Sequence, residues 1–201
     1  MQKKYSMLKN GGIYQFKSAS TQNQVNGLIT LLKLSGNKNP SNFSYISNIA
    51  TTKYEDTSVR SFIFSEHTLD IEGQEIKNLF KHKDCMHLYD LVSNKVSDVH
   101  NLKYHSEENL FLFSLVKALL HSANRTLFIE LKDKSISEIN LKRIQSILNY
   151  EVKNKKRLVI ISCASNLFAQ DTFDAIINRD QKGKYSIDPM QPEINATKYV
   201  A

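Results

Sequence analysis

Two short runs constrain this chain more than anything else in it: Thr126-Leu127-Phe128-Ile129-Glu130 and Leu158-Val159-Ile160-Ile161-Ser162. Each is apolar at nearly every position. A strand of that kind has no wet face, so it belongs in the interior of a sheet covered on both sides. Between them, Ile139 to Tyr150 alternates Ile139, Ile144, Ile147 and Leu148 with Lys142, Arg143 and Gln145, the stripe of an amphipathic helix. Ahead of the first run, His105-Ser106-Glu107-Glu108-Asn109 reads as a helix start and Leu110 to Leu120 as the helix. Tyr104 to Ser165 therefore predicts helix, buried strand, helix, buried strand, an α/β succession built on a parallel sheet.

The flanking sequence extends this pattern. Gly12 to Phe16 predicts a short strand after a Gly-Gly turn, Ser18 to Asn26 a polar loop, and Gly27 to Leu34 a helix with Leu28, Leu31 and Leu32 on one face, ended by Gly36 and Pro40. Phe43 to Ile49 and Arg60 to His67 read as strands, the latter closing in a polar turn. Glu75 to Phe80 and Asp84 to Ser93 read as helices, with Met86, Leu88, Leu91 and Val92 as apolar anchors. Phe173 to Asp188 reads as two short strands around Gln181-Lys182-Gly183-Lys184, and the tail from Pro189 as irregular.

With 201 residues, 41% hydrophobic and 23% charged, the chain is long enough for a core domain with a small subdomain. The net charge of +7 concentrates in Lys3 and Lys4 and in Lys153, Lys155, Lys156 and Arg157. Such clusters read as a solvated surface, or as contact with an anionic membrane face or nucleic acid. No aromatic interleaving of the nucleic-acid type accompanies them, so nucleic acid is not expected. There is no run of 18 apolar residues, and no apolar core follows the basic start, so neither a membrane span nor a signal peptide is expected. Cys85 and Cys163 form no framework, which makes a reducing cytoplasm the expectation, with Cys163 a small residue at a strand end. His82, His87, His100 and His105 lack ligand spacing, and no metal site is expected.

The order and spacing of these elements resemble the ATP-binding-cassette ATPases, over roughly residues 11 to 187. The strand–loop–helix at the front resembles a P-loop, in which glycine amides, a lysine and a hydroxyl hold phosphates and magnesium. Started at Ser18, the lysine position falls on Gln24 and the hydroxyl on Val25; aligned from the helix end, the lysine position falls near Gly27. His105-Ser106-Glu107-Glu108-Asn109 resembles the family signature, and Lys117-Ala118-Leu119-Leu120 falls at its spacing. There Glu107 and Glu108 replace the glycines, and two carboxylates would repel a phosphate while favouring the dipole of their own helix. Ser106 and Ser137 read as helix N-caps, each with an Asn three residues on. Thr126 to Glu130 resembles the Walker B strand, with Glu130 at the aspartate, Leu131 at the catalytic glutamate and Lys132 at the proline. Glu66 matches the glutamine that ends an earlier strand, and Ala164 matches the switch histidine.

The fold this implies is α/β and P-loop NTPase-like: a mixed or parallel sheet flanked by helices, with a small helical subdomain and a trimmed N-terminal β part. Residues 1–74 and 104–188 would form the core, 75–103 the helical subdomain and 189–201 a tail. The resemblance implies a catalytically degenerate nucleotide-binding-domain-like subunit of a membrane transport complex. It would have no catalytic residues, and neither ATP nor magnesium as a cofactor is expected. It would lie in the cytoplasm, peripheral on the cytoplasmic face of a membrane, against a transmembrane transporter subunit contacted through Glu66, His67, Leu69 and Ile71. Its other partner would be an active ABC ATPase or a second copy of itself. The alternatives are a weak ATP-binding subunit whose catalysis a partner completes, with Ser106 and Glu130 contributing, and a scaffold or nucleic-acid binder on the same fold.

Overall fold

The computed structural model describes residues 8–18, 43–46, 56–65, 75–83, 85–93, 100–120, 125–131, 136–163 and 167–190. A six-stranded sheet runs through them. Its strands are β1 (Ile13–Ser18), β2 (Phe43–Ile46), β3 (Thr126–Glu130), β4 (Leu158–Ser162), β5 (Ala175–Arg179) and β6 (Tyr185–Pro189), in the order β2-β3-β4-β1-β5-β6. The first five are mutually parallel and β6 returns antiparallel along β5. The closing hairpin is the one the sequence predicts, turned by Gly183 at φ 77°. The two apolar runs are β3 and β4, side by side at the interior of the sheet.

Register explains why both runs carry apolar residues on both faces. On one face Leu127, Ile129, Val159 and Ile161 join one buried cluster with Leu112, Leu115 and Val116 of the helix Glu107–Leu120 and Ile144 and Leu148 of the helix Glu138–Lys155. On the other, Phe128, Leu158 and Ile160 join Tyr14, Phe16, Ala175, Ile177 and Tyr185. Each such side chain buried in full contributes ~1.5–3 kcal/mol. The cluster on the helical face also takes in Leu79, Phe80, Leu88, Leu91 and Val92.

Five expectations are corrected. Arg60 to His67 reads as a strand, but Val59–Phe64 is a helix packed on Glu107–Leu120. Ser58 caps it, its hydroxyl accepting the Ser61 N–H at 3.2 Å. Val59, Phe62 and Ile63 are buried, spaced i, i+3, i+4. The predicted helix Asp84 to Ser93 is the short Met86–Tyr89 followed by turns, and Met86 is exposed rather than an anchor. Ile139, assigned to the apolar face of its helix, is 67% exposed. That helix continues past Tyr150 to Lys155, where Lys156 closes it in the left-handed conformation at φ 54°. The predicted helix at 27–34 lies outside the described residues.

A buried ionic cluster ties the helices to the start of β4. The fully buried Glu151 meets His87 Nε2 at 2.7 Å, Lys155 Nζ at 3.0 Å and Arg157 Nε at 2.8 Å, the last too oblique for a hydrogen bond. The Arg157 guanidinium also donates to Leu119 O at 2.8 Å. Burial pulls the Arg157 pKa down, while the Glu151 charge opposes that shift.

Candidate functional site

In parallel sheets the crevice outside the carboxyl ends of the strands is where ligands are held. Here that edge carries a row set by register: Glu130 on β3 lies opposite Ser162 on β4, and Ser162 opposite Phe16 on β1. Ser18, the start of the P-loop-like segment, ends β1 on the same edge and pairs with Arg179 of β5.

Glu130 is the carboxylate that ends β3 on this edge, and it is half-buried. Its Oε2 accepts a hydrogen bond from the Tyr45 hydroxyl. Tyr45 is held for that contact by stacking on Phe128, ring centroids 5.4 Å apart and planes 19° apart. Phe128 meets Phe16 edge-on at 6.1 Å. Burial raises the Tyr45 pKa, and the bond to Glu130 and its charge raise it further, so the hydroxyl stays a donor. A metal at Glu130 would have to compete with Tyr45 for that oxygen. Among the described residues no group of three or more His, Cys, Asp and Glu is arranged to hold a metal ion.

Leu131 follows Glu130 with its N–H donated to Ser162 O at 2.8 Å and its side chain in the core. An alkyl group there can neither take a proton nor orient a water. On β1, Gln15 is a buried polar residue whose Nε2 reaches Cys163 Sγ, just past β4, at 3.7 Å.

The signature-like segment does something sequence reading did not foresee. Ser106 caps its helix, accepting the Asn109 N–H at 3.3 Å, and Glu107 is exposed. Glu108 turns to the start of the next helix, where its Oε1 accepts the Ser137 N–H at 2.8 Å, the Ser137 hydroxyl at 2.7 Å and the Asn140 side-chain amide. Ser137 occupies the cap position as predicted, but its hydroxyl makes no cap bond of its own and donates to Glu108 instead. One carboxylate thus holds two helix N-termini together, sitting where the second helix's dipole favours a negative charge.

Tyr45 and Asn140 are the partners that the motif reading missed. Tyr45 lies 85 residues before Glu130, and Asn140 lies 32 residues after Glu108. Tyr45 stands on a strand the sequence predicts, and its pairing beside the Walker B-like strand comes from the fold. Gln24, Gly27, Glu66, His67, Leu69, Ile71 and Ala164 lie outside the described residues.

No protein-family model matches the sequence. No curated protein matches it either. Solved structures do match. An ATP-binding subunit of an ABC transporter aligns over 85% of this chain and 75% of its own, at TM-score 0.63 and 12% identity. The chain has the fold of an ABC transporter ATPase subunit. cbiO1 from Clostridium perfringens, part of the ABC transporter complex cbiONQ, aligns over 85% of this chain and 74% of its own at TM-score 0.55 and 9% identity. A chain of an inward-facing ABC transporter assigned to the metal-chelate type aligns over 90% and 72% at TM-score 0.52 and 11% identity. Among the described residues no helix is long and apolar enough to cross a membrane.

Proposed function

We propose that this chain is a nucleotide-binding-domain-like subunit of an ABC-type membrane transport complex that has lost ATP chemistry and serves a structural or regulatory role. The observation that carries the reading is the edge of β3. There Glu130 is hydrogen-bonded by Tyr45, and the residue after it is the core leucine Leu131. A magnesium nucleotide needs a carboxylate for the ion and a general base for water; Tyr45 already engages one oxygen of Glu130, and Leu131 supplies no base. Glu107 and Glu108 set acids where a phosphate would have to approach, and Glu108 is already engaged with Ser137 and Asn140. Neither Gln24 nor Gly27, the two positions for the P-loop lysine, supplies an ammonium group.

In this reading the subunit sits on the cytoplasmic face of a membrane and docks on transmembrane subunits through Glu66, His67, Leu69, Ile71 and the helical segment 75–103. It pairs with an active ATPase or with itself. The sheet and its helices then carry motion between partners without supplying energy. Titration calorimetry with magnesium ATP on the isolated chain tests the central claim, with no saturable binding expected. Tight binding without turnover would replace this reading with that of an ATP-binding subunit completed by its partner, and turnover would overturn it. Affinity purification from membranes, with recovery of a polytopic protein, tests the docking.

A further inference from the structure

We propose that the amino-terminal edge of the sheet, opposite Glu130, is a contact surface for an anionic lipid bilayer. Three adjacent strands, β3, β4 and β1, begin there, and a basic residue precedes each: Arg125, Lys156 and Lys9. Backbone hydrogen bonds hold the three approaches side by side, Leu158 N donating to Arg125 O at 2.8 Å and Gly11 N to Arg157 O at 3.0 Å. Lys156 is fixed by its left-handed backbone, and its side chain passes close over Gly11, where an added Cβ would meet Lys156 Cδ at 3.5 Å. Lys153 adds a fourth cation from the last turn of the preceding helix. All four are exposed, and among the described residues no carboxylate pairs with them. Of their basic neighbours, Lys155 and Arg157 are held by Glu151. Asp174, an exposed acid on the same edge, already accepts the Ile13 N–H at 2.7 Å.

Beside these cations lie two exposed apolar side chains, Tyr150 at 43% and Met86 at 37%. His87 links them: it follows Met86 in the chain, and its ring stands 4.3 Å from that of Tyr150. Cations joined to an exposed tyrosine and a flexible methionine suit the headgroup boundary of an acidic bilayer. There Lys and Arg meet phosphates and carboxylates, and Tyr straddles the interface. Duplex nucleic acid would use the charge and leave the apolar flank idle, whereas single strands could stack on Tyr150. The proposal goes beyond the transport reading and does not depend on it, since lipid partition and ATP binding are measured separately.

The test floats the full chain with vesicles of phosphatidylcholine alone and of phosphatidylcholine with phosphatidylserine. Binding is expected only with phosphatidylserine and should weaken as salt rises. Each of Lys9→Gln, Arg125→Gln, Lys153→Gln and Lys156→Gln should lower partition roughly fivefold, and all four together on the order of a hundredfold or more. Lys182→Gln with Lys184→Gln, on the turn at the opposite edge, should leave it unchanged. If the fourfold variant does not fold, as judged by circular dichroism, the single variants carry the test. Absence of phosphatidylserine-dependent binding overturns the proposal, and so does equal loss in the turn variant. Binding of a single-stranded or duplex oligonucleotide, lost with the same four lysine and arginine changes while vesicles are ignored, overturns it in favour of nucleic acid.

Discussion

The two edges of the sheet each hold a glutamate, and the two are kept in opposite ways. Glu151 has no exposed side-chain surface and is surrounded by His87, Lys155 and Arg157. Glu130 is half-buried and has Tyr45, a neutral donor, on one oxygen. A carboxylate taken fully out of water needs cationic partners, because its desolvation costs several kcal/mol. One left partly in water needs only a modest hydrogen bond. The Glu151 edge is therefore built to hold elements together: it joins Met86–Tyr89, the end of Glu107–Leu120, the end of Glu138–Lys155 and the start of β4. The Glu130 edge keeps its acid close to water, where the contact can be removed without unfolding the chain.

The sharpest way to break this contrast is to remove Glu151. Glu151→Ala leaves the Arg157 guanidinium buried without its carboxylate, and the expected loss is ~3–5 kcal/mol in urea unfolding. For a chain of this size that corresponds to a fall in Tm on the order of 10 °C. A paired Glu151→Leu with Arg157→Met should recover much of that, since replacing both charges by apolar groups removes the uncompensated one. A loss of under ~1 kcal/mol in the single variant would show that the cluster is idle. Next in size is Glu108→Ala, which strips the buried Asn140 amide and the Ser137 N–H of their acceptor. About 1–3 kcal/mol should go, while the exposed Glu107→Ala control should change little. Equal effects in the two would mean that the bridge between the helix starts is not what stabilises them.

The same contrast explains what the sequence could and could not reveal. β3, β4 and the closing hairpin were legible because each is set by a local pattern: a continuous apolar run, or alternation around a Gly turn. The α/β succession made a parallel sheet legible, while the insertion of β1 between β4 and β5 left no local signal. Val59–Phe64 was misread because Phe62-Ile63-Phe64 has strand propensity, and a reading that starts at Arg60 leaves out Val59, which completes the helical spacing above a Ser58 cap. Glu151 was overlooked because a charged residue among Lys153, Lys155 and Lys156 reads as surface, and only the fold brings His87 to it. At the candidate site Glu130 and Glu108 could be picked out by position in a motif, but their partners come from other elements and leave no local signal. A hydrogen bond across 85 residues has no sequence period.

Smaller effects belong to the exposed edge. Tyr45→Phe keeps the stacking on Phe128 and deletes the hydroxyl, so a cost of ~0.5–1.5 kcal/mol is expected at neutral pH. Its pH dependence gives a sharper reading. The folded-state pKa of Tyr45 is raised by burial and then by Glu130, so the unfolded chain gives up this proton first, at about pH 10. Stability from the protonated hydroxyl is fully present below that value and is lost as pH rises above it. The difference between wild type and variant should therefore shrink at alkaline pH. A difference that stays constant would mean that the hydroxyl does not hold Glu130.

The smallest effect expected lies at His105, just before the helix Glu107–Leu120. Its ring stands edge-on to Phe113 at 5.1 Å, and its Nε2 is buried without a hydrogen-bond partner among the described residues. Burial lowers its pKa, and His100 nearby lowers it further. The folded chain thus resists the proton that the unfolded chain takes up near pH ~6.5. Between that pH and the lower folded value the unfolded state binds more protons, so stability declines as pH falls through this window. Above it His105 contributes no pH dependence. His105→Phe keeps an aromatic ring against Phe113 and removes the titration, so the difference between the two unfolding curves should be flat above pH ~6.5 and should move in favour of the variant below it. An unchanged difference across the window would mean that the ring takes up its proton as readily in the fold as in the unfolded chain, and that the Phe113 contact leaves it open to water.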